Sequence, residues 1–307
     1  MAPVGGLVAV HAHPDDETLS TGALLATWAR AGRPVTVVTC TRGERGEVIG
    51  EALAHLEGDG PALAAHRESE LAAALSSLGV ADHVYLDSGG PAGERFEDSG
   101  MAWLGTGRAG TAVDLPDRAF VGVPVDEAAA RLADVLRARQ PDVVVTYEPD
   151  GGYGHPDHVH AHRVTLRAVE LVAADDLHPT VLWAAQRGAH LRAAYRALAG
   201  GSVTLALGDE RGDLTLPDPD GPLPSVAVDT LDLAVDVLPV RAAVLDAMRA
   251  HATQVRAVRA LDGTPGLIGC YALSNDVLAP VLPVEGYRVA AGRVDVLAGV
   301  PGVRPVA

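Results

Sequence analysis

Short apolar runs alternate with longer helical patterns through the first 185 residues of this 307-residue chain. Continuous apolar runs of strand length are typical of parallel strands that are buried on both faces. Strands separated by helices require right-handed crossovers, so the alternation predicts a Rossmann-like, doubly wound and mainly parallel α/β sheet over residues 1–185. The predicted strands are Leu7–Val10, Val35–Thr39, Val84–Leu86, Val143–Thr146 and Val181–Ala184, and the predicted helices are Glu17–Ala31, Leu63–Leu78, Val125–Arg139 and His158–Ala173.

The pattern changes in residues 186–307. The segment Asp209–Leu223 is rich in Asp, Pro and Gly, which is typical of a loop or hairpin. After it, Ser225–Asp229 alternates like a strand, Val240–Val255 has a helical pattern, and Gly286–Val294 is a candidate last strand. We expect this region to form a smaller C-terminal α+β part that packs on the first part.

Two connections in the first part are unusually long. One runs from Arg42 to about Pro61, and the other runs from Asp87 to about Pro124 and is rich in Gly and Asp. Loops of this length in a compact domain are usually functional or disordered. We interpret both as substrate-binding loops, with Glu47 in the first as a candidate substrate contact. A solvated turn remains the alternative for Glu47.

The composition limits the classes of function. The 24 basic and 40 acidic residues give a net charge of −16, which disfavours binding to nucleic acid or to an anionic membrane surface. The sequence contains no lysine, which excludes a lysine Schiff base and a phosphate-binding lysine. Its two cysteines form no disulfide framework. No signal peptide or membrane span is evident, so we expect a cytoplasmic enzyme with a small-molecule substrate. The sequence leaves the oligomeric state open.

Two segments rich in His and Asp follow the first and fourth predicted strands. Residues 11–17 read HAHPDDE, and residues 151–158 read GGYGHPDH. In a doubly wound sheet with strand order 3-2-1-4-5, strands one and four are neighbours, and the winding reverses between them. Ligands bind at that reversal. The sequence therefore predicts that both segments contribute to one site, although each segment alone could be a helix cap.

Two imidazoles and one carboxylate form a ligand set that suits a catalytic metal ion. We predict that His13 and Asp16 bind the ion from one helix start and that His158 binds it from the other segment. The neighbouring carboxylate of Asp15 is then available as general base. Zn²⁺ is the expected ion, and Fe²⁺ fits the same ligands.

These residues resemble a known family. AHPDDE at 12–17 and GHPDH at 154–158 are similar to the zinc-dependent N-acetylglucosaminyl deacetylases, the PIG-L or LmbE-like family. Further stretches resemble the branch of that family that acts in mycothiol biosynthesis, and the resemblance spans about residues 11–276. These stretches are HAHPDDETLSTGA, TCTRGERGEVIG, EDSGM, VVVTYEPDGGYGHPDHVH, HATQV and ALSN.

The resemblance implies an activity and a set of roles. The implied reaction removes acetate from N-acetylglucosaminyl-inositol, an amino-sugar substrate, with the ligands and base named above. Protonated His155 would stabilise the oxyanion, or it would protonate the leaving amine. Asp15 remains the alternative donor of the proton to the amine. The other implied roles are tuning of that histidine by Asp157, closure of Tyr153 on the tetrahedral intermediate, and contacts of Arg67 and Asp98 with sugar hydroxyls.

Other functions remain as alternatives. A related amidase that cleaves mycothiol S-conjugates shares the metal motif. That amidase carries a lysine near the position of Ser20, whereas this chain has no lysine, so it resembles the amidase less. A non-haem Fe(II) oxygenase would use a similar ligand set. A sugar-binding protein would not need the spare carboxylate of Asp15. A nucleotide-binding protein is disfavoured because the turn after the first strand lacks a glycine-rich phosphate loop.

Overall fold

The computed structural model describes residues 6–88, 95–103, 109–111, 114–297 and 299–306. A nine-stranded mixed sheet forms the centre of the protein, and a three-stranded and a two-stranded sheet lie beside it. The strands are β1 (Gly6–His11), β2 (Val35–Thr39), β3 (Asp82–Tyr85), β4 (Met101–Trp103), β5 (Ala109–Thr111), β6 (Pro141–Thr146), β7 (Thr180–Arg187), β8 (Ala227–Val228), β9 (Leu233–Asp236), β10 (Arg256–Ala260), β11 (Gly269–Ala272), β12 (Leu278–Val281), β13 (Val284–Ala291) and β14 (Val303–Pro305).

The parallel part of the central sheet has the predicted order. Its strands run β3-β2-β1-β6-β7, which is the order 3-2-1-4-5 for the five strands expected from the sequence. All four pairings are parallel, and β1 lies between β2 and β6. The predicted doubly wound α/β fold is confirmed, and the carboxyl ends of β1 and β6 lie side by side.

Three strands from the C-terminal region extend the same sheet. β13 pairs with β7, β9 pairs with β13, and β14 pairs with β9, all antiparallel. The predicted last strand is therefore β13, and β14 follows it as an edge strand. Because the sheet continues across residue 185, the division into a catalytic part (1–185) and a smaller C-terminal part (186–307) stays a prediction.

Helices cover both faces of the sheet because successive strand side chains point to opposite faces. Leu7 and Ala9 of β1 pack with one set of helices, and Val8 and Val10 pack with the other. Helices α1, α2 and α8 lie on the first face, and α3 and α5 lie on the second. The helices are α1 (Asp16–Arg30), α2 (Gly60–Leu78), α3 (Val125–Arg139), α4 (Gly151–Gly154), α5 (Pro156–Ala173), α6 (Gly188–Leu198), α7 (Gly201–Leu207) and α8 (Arg241–Ala250).

The C-terminal region also builds a small core of its own. Helices α6 and α7 pack against the antiparallel sheet β10-β11-β12 around a separate apolar cluster that includes Leu198, Val203 and Cys270. Within the described ranges, no helix has both the length and the apolar character needed to cross a bilayer.

One expectation differs from the structure, and another is only partly covered by the described residues. The helix predicted over Val240–Val255 ends at Ala250, because residues 251–254 form a turn in which Gln254 N–H and Val255 N–H both donate to His251 O. The long connection from Asp87 to Pro124 lies partly outside the described residues, which omit 89–94, 104–108 and 112–113. Its substrate-binding role stays a prediction.

Candidate metal centre

The two His/Asp segments meet at the carboxyl ends of β1 and β6. Strand β1 ends at His11, and α1 begins five residues later at Asp16, so His13 lies in the turn between them. Strand β6 ends at Thr146, and α5 begins at Pro156. One ring nitrogen of His13 and one of His158 lie within 4.8 Å of each other. The sequence-predicted convergence is therefore present in the structure.

Asp16 lies between the two imidazoles. Its Oδ2 is 3.3 Å from His13 Nδ1, and its Oδ1 is 3.2 Å from His158 Nε2. All three side chains are more than 90% buried. Although burial opposes ionisation, His158 and His13 in their charged forms hold the pKa of Asp16 well below its usual value. The arrangement places one anionic ligand between two nitrogen ligands.

The second nitrogen of each imidazole has a fixed partner. His13 Nε2 lies 3.1 Å from Asp157 Oδ2, and His158 Nδ1 lies 3.0 Å from the carbonyl oxygen of Gly151. A carbonyl oxygen can only accept, so His158 Nδ1 carries a proton. In the neutral ring, which is the form that binds a metal, the Nε2 lone pair points towards Asp16. Metal-binding histidines typically donate their other N–H to a carboxylate or a backbone carbonyl in this way.

His158 Nε2 provides the test of whether a cation fits. This buried atom has no hydrogen-bond partner among the residues that the structure describes. Its lone pair faces a carboxylate oxygen at 3.2 Å, which is unfavourable unless a positive charge lies between them. A divalent ion bound by both atoms removes this conflict, so the residues present fit a metal ion.

Other groups of side chains in the cluster could also hold a metal. The ligand atoms of His13, His155 and His158 lie within 4.8 Å of one another, and so do those of His13, Asp98 and Asp157. The Nε2 atom of His13 lies 3.1 Å from Asp157 Oδ2, a member of the second group. The other ring nitrogen, Nδ1, lies 3.3 Å from Asp16 Oδ2. The site is therefore capable of binding a metal, and the choice of ligands stays a prediction.

Gly151 is needed for the orientation of His158. Its φ is 71°, a conformation that L side chains rarely adopt, and a Cβ there would lie 2.8 Å from the Cβ of His158. A larger residue would therefore displace the carbonyl that orients the imidazole.

The neighbouring Glu148 supports the same loop, because its carboxylate accepts hydrogen bonds from Asp150 N–H, Gly152 N–H and Ser225 Oγ–H.

Asp15 has the properties of a general base. Its side chain is 14% exposed, and Oδ2 lies 3.3 Å from Arg67 Nη2. Burial raises the pKa of Asp15 to about 7, against the opposing charge of Arg67. A base with a pKa near the working pH is the most effective one. Its backbone has φ 120° and ψ −34°, a strained conformation for a non-glycine residue that costs about 1–3 kcal/mol.

His155 caps the N-terminus of α5. Its Nδ1 accepts the backbone N–H of Asp157 at 3.1 Å, so a neutral His155 carries its proton on Nε2. Burial, together with the nearby His13 and His158, holds the pKa of His155 well below its usual value. In its neutral form the ring is an N–H donor, and the protonated form implied by the resemblance stays a prediction. The ring of Tyr153 contacts both His155 and His158, at centroid distances of 6.0 and 5.1 Å.

Comparison with known proteins supports the assignment to a family. A model of the PIG-L family, described as GlcNAc-PI de-N-acetylase, matches residues 8–169. The chain belongs to the PIG-L family. A relative from Kineococcus radiotolerans, named 1D-myo-inositol 2-acetamido-2-deoxy-alpha-D-glucopyranoside deacetylase, is 45% identical over 288 residues, covering 92% of this chain and 76% of that protein. A relative from a Nocardioides species with the same name is 42% identical, covering 93% of this chain and 92% of that protein.

A solved structure shares the fold. That of GalB, the 4-carboxy-2-hydroxymuconate hydratase from Pseudomonas putida KT2440, superposes with a TM-score of 0.53 at 18% identity. The similarity covers 95% of this chain and 98% of that chain. At this level of identity it shows the fold alone.

The implied tuning of His155 by Asp157 stays a prediction. The backbone N–H of Asp157 donates to His155 Nδ1, and its carboxylate contacts His13 and Ser99. Asp157 Oδ1 accepts the hydroxyl of Ser99 at 2.5 Å, and Oδ2 accepts the backbone N–H of Ser99. Asp157 lies in the first turn of α5. Asp157 therefore orients the predicted metal ligand His13.

The predicted substrate-binding residues of this PIG-L member differ in position. Asp98 is buried at the cluster, with Oδ1 3.5 Å from His13 Nε2. Arg67 is 2% exposed and donates to the carbonyl oxygens of Gly43 and Pro14, so it holds the loops around Asp15. The side chain of Glu47 is exposed, and its backbone carbonyl accepts from Gln254. Sugar contacts of these residues stay predictions.

Sequence reasoning missed several residues at the site. Tyr147 stacks on His158 with a centroid distance of 4.1 Å, and its hydroxyl accepts the backbone N–H of Ala12. Ser99 binds Asp157, although only its place in the EDSGM stretch pointed to it. Tyr147 directly follows the strand that leads into the second segment, and an aromatic residue at that place could have been predicted to contact the site.

Proposed function

We propose that the chain hydrolyses the N-acetyl group of N-acetylglucosaminyl-inositol, giving glucosaminyl-inositol and acetate, a step of mycothiol biosynthesis. The observation that carries the proposal is the carboxylate of Asp15, held 3.3 Å from Arg67 Nη2, directly beside a His–Asp–His cluster. The names of relatives at 42–45% identity support this substrate. A cytoplasmic location is part of the proposal.

Zn²⁺ is the ion that we propose for the site, held by His13, Asp16 and His158. When bound, it supplies Lewis acidity that polarises the acetyl carbonyl and lowers the pKa of a water molecule. The two imidazoles are already oriented for this purpose by Asp157 and the Gly151 carbonyl. Fe²⁺ suits the same donor set.

Asp15 takes the proton of the attacking water. Burial gives this carboxylate a higher proton affinity than an exposed aspartate has, and Arg67 keeps the carboxylate in place. The neutral ring of His155 can donate its Nε2–H to the oxygen on which negative charge develops. Tyr153, next to both His155 and His158, is the second candidate donor to that oxygen.

The leaving amine must receive a proton as the C–N bond breaks. Once it has taken the proton of water, Asp15 can deliver it to the nitrogen. We favour Asp15 over His155 as the proton donor, because Asp15 gains a proton when it activates the water, whereas burial lowers the pKa of His155.

The amount of acetate released from N-acetylglucosaminyl-inositol tests the proposed reaction. The purified chain is expected to release one acetate per substrate, to lose this activity after chelation, and to regain it on addition of Zn²⁺. A mycothiol S-conjugate supplied under the same conditions is expected to be cleaved far more slowly.

The outcomes separate the alternatives. Faster cleavage of the S-conjugate would favour the amidase. Activity that survives complete removal of metal would contradict the metal-dependent mechanism. Oxygen consumption without acetate release would favour an oxygenase.

A further inference from the structure

The turn at residues 251–254 reaches the candidate base from outside the family-matched region. The side chain of His251 is completely buried, and its Nε2 lies 2.8 Å from Glu17 Oε1. The other oxygen of Glu17, Oε2, accepts the backbone N–H of Asp15 at 2.9 Å. A continuous chain of hydrogen bonds therefore runs from the C-terminal region to the backbone of Asp15.

The Glu17 carboxylate is fully enclosed. Its exposed fraction is 0%, and it also accepts the hydroxyl of Thr18 at 2.5 Å. A buried carboxylate is stable only when its oxygens are hydrogen-bonded. Without His251, Glu17 would lose one of these partners and would have to rotate, bind water or take up a proton. Each of these changes weakens its hold on the N–H of Asp15.

The backbone of Asp15 needs such a restraint. Its φ of 120° is far from the conformations that aspartate normally adopts. Strained residues persist only where the surrounding structure holds them in place. Glu17 provides that hold from the backbone side, and Arg67 contacts the carboxylate and the carbonyl of Pro14 from the other side.

The same turn also fixes the surrounding loops. Thr253 donates its backbone N–H and its hydroxyl to Glu70 of α2, and its carbonyl accepts the N–H of Ile49. Gln254 donates to the carbonyl of Glu47. The turn thus joins α2 and the loop that contains Glu47 to the start of α1, so His251 lies in a rigid setting.

We infer that His251 is a positioning residue for Asp15, acting through Glu17, and that the C-terminal region thereby completes the catalytic site of the first region. The role of His251 rests on the proposed function, since Asp15 is the base only if the chain is a hydrolase. The ring of His251 binds Glu17 through Nε2, and among the described residues it makes no hydrogen bond to a proposed metal ligand.

The test compares His251→Ala with His251→Gln in the full-length, metal-loaded protein. Glutamine keeps an N–H at about the place of Nε2, whereas alanine keeps none. We expect His251→Ala to lower kcat by roughly 10- to 100-fold, because a displaced catalytic group costs about this much. KM and metal content should stay within about twofold, and His251→Gln should recover most of kcat. His178→Ala, with a 66%-exposed side chain, is the control and should match wild type.

A double-mutant cycle with Glu17→Gln tests the route. If His251 acts through Glu17, the double variant should lose about as much activity as the worse single variant. Independent, multiplicative losses would overturn the inference. So would a His251→Ala variant with wild-type kcat, or a folded, metal-loaded His251→Gln variant with no recovery.

Hydrogen exchange of the Asp15 amide gives a readout that does not depend on activity. The wild-type amide should be protected, and His251→Ala should speed its exchange about tenfold or more, with His251→Gln intermediate. Unchanged exchange in His251→Ala would overturn the inference. If the wild-type chain releases no acetate, the proposed function fails, while the exchange comparison still decides whether His251 holds Asp15.

Discussion

Replacing Asp15 by asparagine is expected to lower kcat by roughly 100-fold or more, because the variant loses the general base. Asparagine has nearly the same shape, and its side-chain oxygen can still accept from Arg67 Nη2, which lies 3.3 Å from Asp15 Oδ2 in the structure. Steady-state kinetics of acetate release, together with metal analysis, measure the effect. Metal content and KM are expected to stay close to the wild-type values.

Asp176→Asn is the matched control for this substitution. Asp176 is fully exposed and also has a positive φ, 61°, which asparagine adopts readily. It should leave kcat unchanged. An Asp15→Asn variant with nearly wild-type kcat would show that another group takes the proton of water, whereas loss of metal would show that Asp15 is a ligand.

Replacing His158 by alanine is expected to remove most of the bound metal and, with it, the activity. The imidazole supplies the unpartnered Nε2 that faces Asp16, and nothing in alanine replaces it. We expect metal affinity to fall by more than the roughly 10- to 100-fold that loss of an outer partner costs. Metal analysis after dialysis and titration with Zn²⁺ measure the loss.

His160→Ala is the control on the same helix. His160 is also buried, but its ring packs edge-on against Phe120 and is not among the ligand groups. This variant is expected to lose some stability and to keep its metal. If His158→Ala bound metal as tightly as wild type, His158 would not be a ligand.

The central fold was predictable because its parallel strands are buried on both faces. The apolar runs at Val35–Thr39 and in β1 and β6 have the right length, and the helices between them fix the crossovers. Once the order 3-2-1-4-5 is inferred, the convergence of His13 and His158 follows from topology alone.

The C-terminal part was less predictable, because antiparallel strands that extend an existing sheet have no distinct local pattern. Strands β9 and β14 have four and three residues, too few to show a period. The HATQ turn was read as the end of a helix, since its residues continue the apolar spacing of α8. The helix ends at Ala250, and the side chain of the next residue, His251, pairs with Glu17, 234 residues away.

Contacts between side chains were the hardest to predict. Asp157 lies two residues after His155, and the resemblance to the PIG-L family implied that its side chain interacts with that histidine. The carboxylate instead reaches His13, 144 positions earlier, because α5 begins beside β1. Similarly, no pattern within residues 11–17 indicates that the Glu17 carboxylate accepts the backbone N–H of Asp15. Nor does it indicate that the same carboxylate pairs with His251 of the C-terminal region.

The position of the metal is best measured by anomalous diffraction at the zinc absorption edge from crystals of the Zn²⁺-loaded protein. We expect one strong peak per chain, at bonding distance from His13, from Asp16 and from Nε2 of His158, with the Asp15 carboxylate outside bonding distance. A peak bonded instead to Asp98 and Asp157, or to Asp15 itself, would contradict the proposed division of labour between ligands and base.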